Sequence, residues 1–294
     1  LQAMTSLGWE NWRLEEDVLT TGSPVRTHRD RVVYCGESGS TLRFLIPLGL
    51  DGQTCRYTGS ERLLARAMEP YRDIFEAKGW HWRQEGEGIT LKGQIQPGEY
   101  RLRGDVSSQF VTGLLFALCG LEEDSAIHLT GPVESRGYID LTLSALQSYG
   151  MRVQWQGEAT LTIPGGQVWR GGDGRVEGDF SHAAFFLVAG ALGNGVCIRG
   201  LSQSSLQGDK TIVEVLKSMG ADIDWTREGL CVKPSSLHGG IIDGSQIPDL
   251  VPVLAVAACG GQGKTESVNA ASVPDKESER RAAQDLGAQH RGAP

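Results

Sequence analysis

The sequence lacks several patterns that would place it in a class at once. No apolar run approaches the roughly 18 residues of a membrane span, and the longest ones are short segments such as Ala183–Leu192. No charged and apolar leader opens the chain, so we do not expect secretion. Its 28 lysines and arginines are outnumbered by 36 acidic residues, for a net charge of −8, which disfavours non-specific nucleic-acid binding. We therefore expect a cytoplasmic protein with no membrane or nucleic-acid partner.

Patterns typical of metal sites and common nucleophiles are also missing. The six cysteines contain no Cys-x-x-Cys pair, and the six histidines show no His-x-His or His-x-x-x-His spacing, so no metal site is predicted. We interpret the cysteines as reduced thiols rather than as a disulfide framework. No Gly-x-Ser-x-Gly elbow occurs, which argues against a serine hydrolase.

Glycine, in contrast, is in excess, with 40 of 294 residues, about twice the usual ~7%. Five glycines each end a helical segment and precede a strand-like one, at spacings of 71, 71, 70 and 67 residues. They are Gly8, Gly79, Gly150, Gly220 and Gly287. A repeat of this length exceeds the roughly 20–50 residues of solenoids. It predicts a small α/β unit that packs against copies of itself.

A second element recurs between these glycines, a Gly/Ser/Asp turn followed by an apolar helix and a strand. Its copies begin at Gly36, Gly104, Gly178 and Gly244. Helices that are apolar on nearly all sides, such as Val111–Leu118 and Val251–Ala258, are expected to be buried. Their N-termini would together form an anion-binding surface, although plain N-capping is the simpler explanation for any one copy.

Charged residues beside these turns are candidates for ligand binding. Arg43, Arg62, Arg66 and Arg136 each lie next to a repeat turn, and arginine suits phosphate and carboxylate groups. Lys276 and Arg280 are four residues apart with Glu277 beside them, a spacing that ordinary charged helix surfaces also have. Asp249 precedes an apolar helix, where its carboxylate is either a helix cap or a base.

Seven motifs, in this order, carry a resemblance to a known family. They are Gly36-Glu-Ser-Gly-Ser-Thr-Leu-Arg-Phe-Leu, Gly104-Asp-Val-Ser-Ser-Gln-Phe, Ser135-Arg-Gly-Tyr-Ile-Asp-Leu-Thr, Val176-Glu-Gly-Asp, Gly208-Asp-Lys, Ile247-Pro-Asp and Lys276-Glu-Ser-Glu-Arg. From about Gly8 to Arg280 the chain resembles the EPSP synthases, the 3-phosphoshikimate 1-carboxyvinyltransferases. The resemblance implies an α/β, two-lobed enolpyruvyl transferase fold, built from repeated units of the βαβαββ type.

The resemblance also implies a reaction and a set of site residues. The family transfers the carboxyvinyl group of phosphoenolpyruvate to the 5-hydroxyl of shikimate 3-phosphate, as a step of aromatic amino-acid biosynthesis, without a metal or organic cofactor, and glyphosate competes with phosphoenolpyruvate. By motif, the shikimate 3-phosphate contacts are Ser107, Ser108, Gln109, Ser135 and Tyr138. The phosphoenolpyruvate contacts are Gly39, Arg66 and Arg280. Asp249 resembles the residue near the 5-hydroxyl, and Lys276 and Glu277 resemble the lysine and the acid near the reacting carbons.

The sequence departs from the family pattern in places. Glu37 stands where many members have Asn, and Glu279 stands where Asp is usual. The family's N-terminal Gly-Ser-Lys-Ser segment and C-terminal Asp-His-Arg motif have no match. We therefore expect a chain that is incomplete at both ends and, by itself, inactive or nearly so.

The glycine-rich stretch Gly171-Gly172-Asp173-Gly174 predicts a hinge. It separates an N-terminal lobe, residues 1–175, from a C-terminal lobe, residues 176–294, with the site expected in the cleft between them, in a monomer. Two alternatives stay open, a non-catalytic chain that binds phosphorylated ligands and a UDP-N-acetylglucosamine enolpyruvyl transferase. An RNA-processing phosphate cyclase is a more distant one, because the chain has no basic stripe.

Overall fold

The computed structural model describes residues 1–22, 30–133, 136–247 and 249–268, in which helices alternate with short strands. The helices are α1 (Gln2–Ser6), α2 (Gly39–Leu48), α3 (Glu61–Leu64), α4 (Glu69–Lys78), α5 (Ser108–Leu118), α6 (Arg136–Ser148), α7 (Phe180–Leu192), α8 (Ile212–Ser218) and α9 (Val251–Gly260), with a 3₁₀ turn at Gly208–Thr211. The strands are β1 (Trp12–Glu15), β2 (Val18–Thr21), β3 (Arg31–Tyr34), β4 (Asp51–Thr58), β5 (His81–Glu85), β6 (Gly88–Gln94), β7 (Gly98–Arg103), β8 (Ser125–Thr130), β9 (Gln154–Gln156), β10 (Thr160–Ile163), β11 (Val196–Ile198), β12 (Ile223–Thr226), β13 (Gly229–Val232), β14 (Ile241–Asp243) and β15 (Glu266–Val268). None of the described helices is long and apolar enough to cross a bilayer.

The chain forms two compact units. Of the described residues, the first contains 1–22, 30–133 and 142–171, and the second contains 136–141, 172–247 and 249–268. The first unit contains two four-stranded sheets, and its helices α2 and α5 pack against each other. In the second unit a continuous apolar core is built around α7, α8 and α9. The lobe boundary after residue 175 and the hinge at 171–175 stay predictions.

The sheets repeat one strand order, which is the structural form of the sequence repeat. The orders are β3-β4-β6-β5 and β7-β8-β10-β9 in the first unit, and β11-β13-β12 and β14-β15 in the second. In three copies a parallel pair, β3 with β4, β7 with β8 and β14 with β15, is connected through an apolar helix. Antiparallel strands then extend the first three sheets. The predicted βαβαββ unit is thus confirmed in the first two copies. The third copy has no first strand, and the fourth is described only as far as β15.

A corresponding backbone hydrogen bond precedes the apolar helix in all four copies. The four bonds run from Cys35 N to Thr58 O (2.8 Å), Gly104 N to Thr130 O (2.7 Å), Gly178 N to Gly200 O (2.8 Å) and Gly244 N to Val268 O (2.9 Å). In the third copy the segment before this bond is not a strand, and Val176 is 96% exposed. The bond is therefore present even where the strand is not.

The periodic glycines end helices in the predicted way. Gly8, Gly79, Gly150 and Gly220 all have positive φ, between 67° and 101°, a backbone region that glycine adopts without penalty. After each glycine, the next N–H donates to a helix carbonyl five residues back. These bonds are Trp9 to Met4 (3.1 Å), Trp80 to Phe75 (2.8 Å), Met151 to Leu146 (3.0 Å) and Ala221 to Leu216 (2.9 Å). Gly287 lies outside the described residues.

The apolar helices differ in burial. Helix α5 lies in the core of the first unit, with Leu114, Leu115 and Leu118 at most 1% exposed. The expectation of full burial is wrong for 251–258, because Val256 is 45% exposed. Phe185 of α7 is similarly exposed, at 54%. Each of these two helices therefore has one apolar face against the unit's core and another that the described residues leave uncovered.

The interpretation of all six cysteines as reduced thiols is also wrong for one pair. Cys197 and Cys231 lie directly opposite each other on the antiparallel strands β11 and β13, with Cα atoms 4.0 Å apart, and form a disulfide. The two are 34 residues apart in sequence, so only the strand register brings them together. The remaining cysteines are free, with Cys35, Cys55 and Cys119 buried and Cys259 exposed.

Candidate functional site

The first unit brings two helix N-termini together. Thr41 N–H donates to Ser38 Oγ (3.1 Å) at the start of α2, and Gln109 N–H donates to Ser107 Oγ (3.4 Å) at the start of α5. The buried Tyr71 hydroxyl lies 2.8 Å from the carbonyl oxygen of Arg43 and 3.0 Å from that of Phe110, and so connects the two helices. Both positive helix ends are thereby fixed in one unit.

Around these ends lies a group of polar residues that we call the first-unit cluster: Gly39, Arg43, Arg66, Ser107, Ser108 and Gln109. A Cβ built on Gly39 would lie 2.5 Å from Arg66 Nη1 and 3.6 Å from Gln109 Oε1. Arg43 Nη1 donates to the same Gln109 oxygen (3.0 Å), and its guanidinium stacks 4.7 Å from the centre of the Phe110 ring. The structure thus places the predicted Gly39, Arg66 and Gln109 side by side.

The first-unit cluster has the chemistry of an anion site. Arg43 and Arg66 bring two permanent positive charges to the ends of α2 and α5, where helix dipoles add partial positive charge. Ser107 accepts a helix N–H, and Ser108 is buried at 9% exposure in the first turn of α5. Backbone N–H groups, hydroxyls and guanidinium groups together suit phosphate or carboxylate.

The second unit holds a different group, the second-unit cluster: Tyr138, Ser181, Asp209 and Asp249. Tyr138 Oη lies 3.0 Å from Asp209 Oδ2 and 3.3 Å from Asp249 Oδ2. Ser181 Oγ donates to the same Asp209 oxygen. Two carboxylates and two hydroxyls therefore share one small volume, which is the composition expected of a proton-transfer site.

The second-unit cluster is positioned by the first turns of two helices and by a short 3₁₀ turn. Tyr138 lies in the first turn of α6, Ser181 in the first turn of α7, and Asp209 in the 3₁₀ turn. Gln207 anchors this turn to α7, since Phe180 N–H donates to Gln207 Oε1 (2.8 Å). Gln207 Nε2 in turn donates to the carbonyl of Gly178 (2.8 Å).

Burial controls the ionisation of this cluster. Asp209 is 1% exposed, and burial raises the pKa of its carboxyl above the ordinary value, against the lowering effect of the hydrogen bonds from Ser181 and Tyr138. Burial also raises the pKa of the Tyr138 hydroxyl, and the neighbouring Asp209 and Asp249 carboxylates raise it further. Tyr138 is therefore a neutral hydroxyl throughout the physiological pH range.

Asp249 lies two residues before helix α9. This helix begins at Val251, and the side chain of its N-cap residue, Leu250, makes no capping hydrogen bond. The Asp249 carboxylate contacts the Tyr138 hydroxyl, and the choice between helix cap and base stays a prediction.

Four predicted site residues, Ser135, Lys276, Glu277 and Arg280, lie outside the described residues. Sequence patterns gave no role to Ser181 or Asp209, although Asp209 belongs to a motif that carried the resemblance. The available signal was the Gly-Asp pair at the start of the 3₁₀ turn, which marks a polar residue preceding an apolar helix.

Two further observations concern possible ligand sites other than the two clusters. In the parts of the chain that the structure describes, no group of three or more His, Cys, Asp or Glu residues is arranged to hold a metal ion. The second unit contains an open groove of about 1260 Å³, lined in part by Arg175, Arg199, Trp225 and Arg227. None of the predicted site residues that the structure describes lines this groove.

Comparison with known proteins gives consistent results at the levels of sequence and fold. Residues 1–286 match the family model of EPSP synthase (3-phosphoshikimate 1-carboxyvinyltransferase). A 3-phosphoshikimate 1-carboxyvinyltransferase of Clostridium kluyveri is 46% identical over 84% of this chain and 59% of its own length. That of Clostridium novyi is 42% identical over 88% of this chain and 60% of its own length. The chain thus spans about three fifths of the length of these relatives.

Solved structures share the fold. EPSP synthase of Acinetobacter baumannii superposes with a TM-score of 0.72 at 24% identity, covering 98% of this chain and 68% of that one. The enolpyruvyl transferase NikO of Streptomyces tendae superposes with a TM-score of 0.62 at 12% identity, covering 90% of this chain and 64% of that one. The repeated βαβαββ units, the ordered motifs and the family match over nearly the whole chain lead to one conclusion: this chain belongs to the EPSP synthase family.

Proposed function

We propose that this protein transfers the carboxyvinyl group of phosphoenolpyruvate to the 5-hydroxyl of shikimate 3-phosphate and releases phosphate. The observation that carries the proposal is the first-unit cluster, in which Arg66, Gly39 and Gln109 meet at two helix N-termini. Both substrates are anions with phosphate and carboxylate groups, which this arrangement suits. Family membership supplies the identity of the substrates.

The roles of the individual residues form part of the proposal. Gly39, Arg66 and Arg280 bind phosphoenolpyruvate. Ser107, Ser108, Gln109, Ser135 and Tyr138 bind shikimate 3-phosphate. Asp249 accepts the proton of the 5-hydroxyl, and Lys276 and Glu277 act at the reacting carbons, with Glu277 donating a proton to the methylene group.

The chemistry places distinct demands on the two clusters. The substrate oxygen attacks C2 of phosphoenolpyruvate while the methylene carbon gains a proton, giving a tetrahedral intermediate. The C–O bond to phosphate then breaks and a methyl proton leaves, which restores the double bond on the product. The arginines of the first-unit cluster are suited to the phosphate charge, and the carboxylates of the second-unit cluster are suited to proton transfer.

Location and oligomeric state are further parts of the proposal. We expect the protein to be a monomer. We expect it in the cytoplasm because its family is named for a metabolic enzyme activity. The Cys197–Cys231 disulfide argues against a cytoplasmic location, because disulfides are rare in reducing compartments. Size-exclusion chromatography with light scattering tests the oligomeric state, and thiol counting on protein taken directly from cells tests the compartment.

Calorimetric titration of the purified chain tests the proposed substrates. We expect saturable binding of shikimate 3-phosphate, weakened about 10-fold or more by Gln109→Ala, the typical effect of losing a hydrogen bond to a charged ligand. Gln156→Ala, an exposed glutamine on β9, is the matched control and leaves binding unchanged. Phosphate release that requires both substrates supports transfer, at whatever rate the chain sustains.

Three outcomes contradict the proposal. Binding of UDP-N-acetylglucosamine in place of shikimate 3-phosphate indicates the related transferase. Binding of both substrates with no phosphate release, by this chain and by one extended at both ends to the length of its relatives, indicates a non-catalytic protein. No saturable binding of shikimate 3-phosphate removes the substrate assignment altogether.

A further inference from the structure

The hydrogen-bond donors and acceptors of the second-unit cluster do not match in number. Tyr138 Oη is within hydrogen-bond distance of Oδ2 of both Asp209 and Asp249, at 3.0 and 3.3 Å. A tyrosine hydroxyl has one proton, and an ionised carboxylate only accepts. The hydroxyl can therefore donate to one of the two acids, and it presents an oxygen lone pair to the other. The direction of this single proton decides what Asp249 faces.

Of the two carboxylates, Asp209 has the greater need of hydrogen-bond donors. It is 1% exposed, and its Oδ1 atom is buried without a hydrogen-bond partner among the described residues. A buried carboxylate without enough donors is costly, so the two hydroxyls that reach its Oδ2, from Ser181 and Tyr138, are its compensation.

The charged groups around Asp209 increase its need for hydrogen-bond donors. Asp179, before α7, and Asp249, before α9, both act on it as like charges and raise its pKa, after the larger effect of burial. Lys210, the next residue in the chain, directs its ammonium group to the carbonyl oxygens of Gln203 (2.9 Å) and Ser205 (3.1 Å). Within the part of the chain that the structure describes, Asp209 therefore depends on the neutral hydroxyl donors of Ser181 and Tyr138.

We propose that Asp209 is a positioning residue that holds the Tyr138 proton, so that Tyr138 turns an oxygen lone pair towards Asp249. When Asp249 takes the proton of the substrate hydroxyl, its new O–H donates to Tyr138 Oη. The Tyr138 proton stays in its hydrogen bond to Asp209 throughout, so one proton moves, from substrate to Asp249. The role in proton transfer rests on the proposed function, whereas the orientation of Tyr138 does not.

Nuclear magnetic resonance of the purified chain tests the orientation independently of turnover. With ¹³Cζ-labelled tyrosine, the Tyr138 signal is assigned by its loss in Tyr138→Phe. We expect this signal to shift as the pH is lowered, with a midpoint above the ordinary aspartate value of about 4, because Asp209 gains a proton there. In Asp209→Asn the shift with this midpoint is lost. Asp179→Asn, a nearby charge change that keeps the α7 cap, is the control and leaves the shift in place.

Steady-state phosphate release from the same proteins tests the consequence. Asp209→Asn should lower kcat roughly 10- to 100-fold, the equivalent of one charge-assisted hydrogen bond, with KM for shikimate 3-phosphate little changed. In a Tyr138→Phe background, Asp209→Asn should have no further effect on kcat, because its action passes through the tyrosine.

The outcomes separate this inference from the proposed function. It is overturned if the Tyr138 signal does not respond to pH in the wild-type chain, or if Asp179→Asn removes the response as Asp209→Asn does. It is also overturned if Asp209→Asn lowers kcat equally with and without the tyrosine hydroxyl. If wild-type protein neither binds nor converts shikimate 3-phosphate, the proposed function fails, and the resonance alone decides whether Asp209 orients Tyr138.

Discussion

Replacing Gly39 by alanine should separate ligand binding from folding. The new Cβ would lie 2.5 Å from Arg66 Nη1, so the guanidinium must retreat by roughly 1 Å to reach ordinary contact distance. The neighbour that gives way is the end of a flexible side chain, and φ at Gly39 is not positive. The fold should therefore accept the change, with the free energy of unfolding altered by about 1 kcal/mol at most. Misplacing one charged donor should weaken phosphoenolpyruvate binding about 10- to 100-fold.

The assay pairs urea denaturation with calorimetric titration of phosphoenolpyruvate in the presence of shikimate 3-phosphate. Gly240→Ala is the control, because a Cβ at Gly240 meets nothing within 4 Å. It should leave both measurements unchanged. The family resemblance further predicts that Gly39→Ala weakens glyphosate more than phosphoenolpyruvate. Unchanged phosphoenolpyruvate affinity, or a loss of several kcal/mol in stability, would refute the reasoning from the Arg66 contact.

Three further predictions test other parts of the structure. Arg66→Ala should weaken phosphoenolpyruvate binding roughly 10- to 100-fold, whereas Arg101→Ala, an exposed arginine on β7, should not; equal effects would contradict the assignment. A thiol reagent should label one cysteine in the native chain, Cys259, then four after denaturation and six after reduction; six thiols without reductant would exclude the disulfide. Because burial raises the pKa of Asp209, the stability that depends on its protonation is present at low pH and lost as pH rises through the raised value. Asp209→Asn has no such loss, so the free energy of unfolding of the variant should increase relative to that of wild type as the pH rises above the ordinary aspartate value of about 4; a difference between the two proteins that does not change with pH in urea denaturation would contradict this.

The repeat could be predicted because the residues that identify it act through the local backbone structure. A helix that ends in a left-handed residue needs glycine at that position, so Gly79 and Gly150 record the end of a helix in the sequence itself. The same is true of the serine caps of α2 and α5, which precede apolar helices by one residue. Backbone chemistry of this kind needs no knowledge of the rest of the fold.

What the sequence did not reveal depends on residues far apart in the chain. Asp209 acquires its partners from α6, α7 and the segment before α9, and its burial follows from how those elements meet. The Cys197–Cys231 pair arises from the register of β11 on β13, which a one-residue slip would abolish. The exposed face of α7 was equally hidden, because an apolar sequence does not state which of its sides a neighbour covers.

The hydrogen bonds that end the helices at the periodic glycines allow the local stability of four equivalent positions to be compared within one molecule. The amides of Trp9, Trp80, Met151 and Ala221 occupy the same chemical position in four copies of one motif. Intrinsic exchange chemistry at these amides can be corrected for sequence, so any remaining difference in hydrogen–deuterium exchange measures the free energy of local opening. Four rates recorded in one experiment would therefore rank the repeats by local stability, without mutation and without a reference protein.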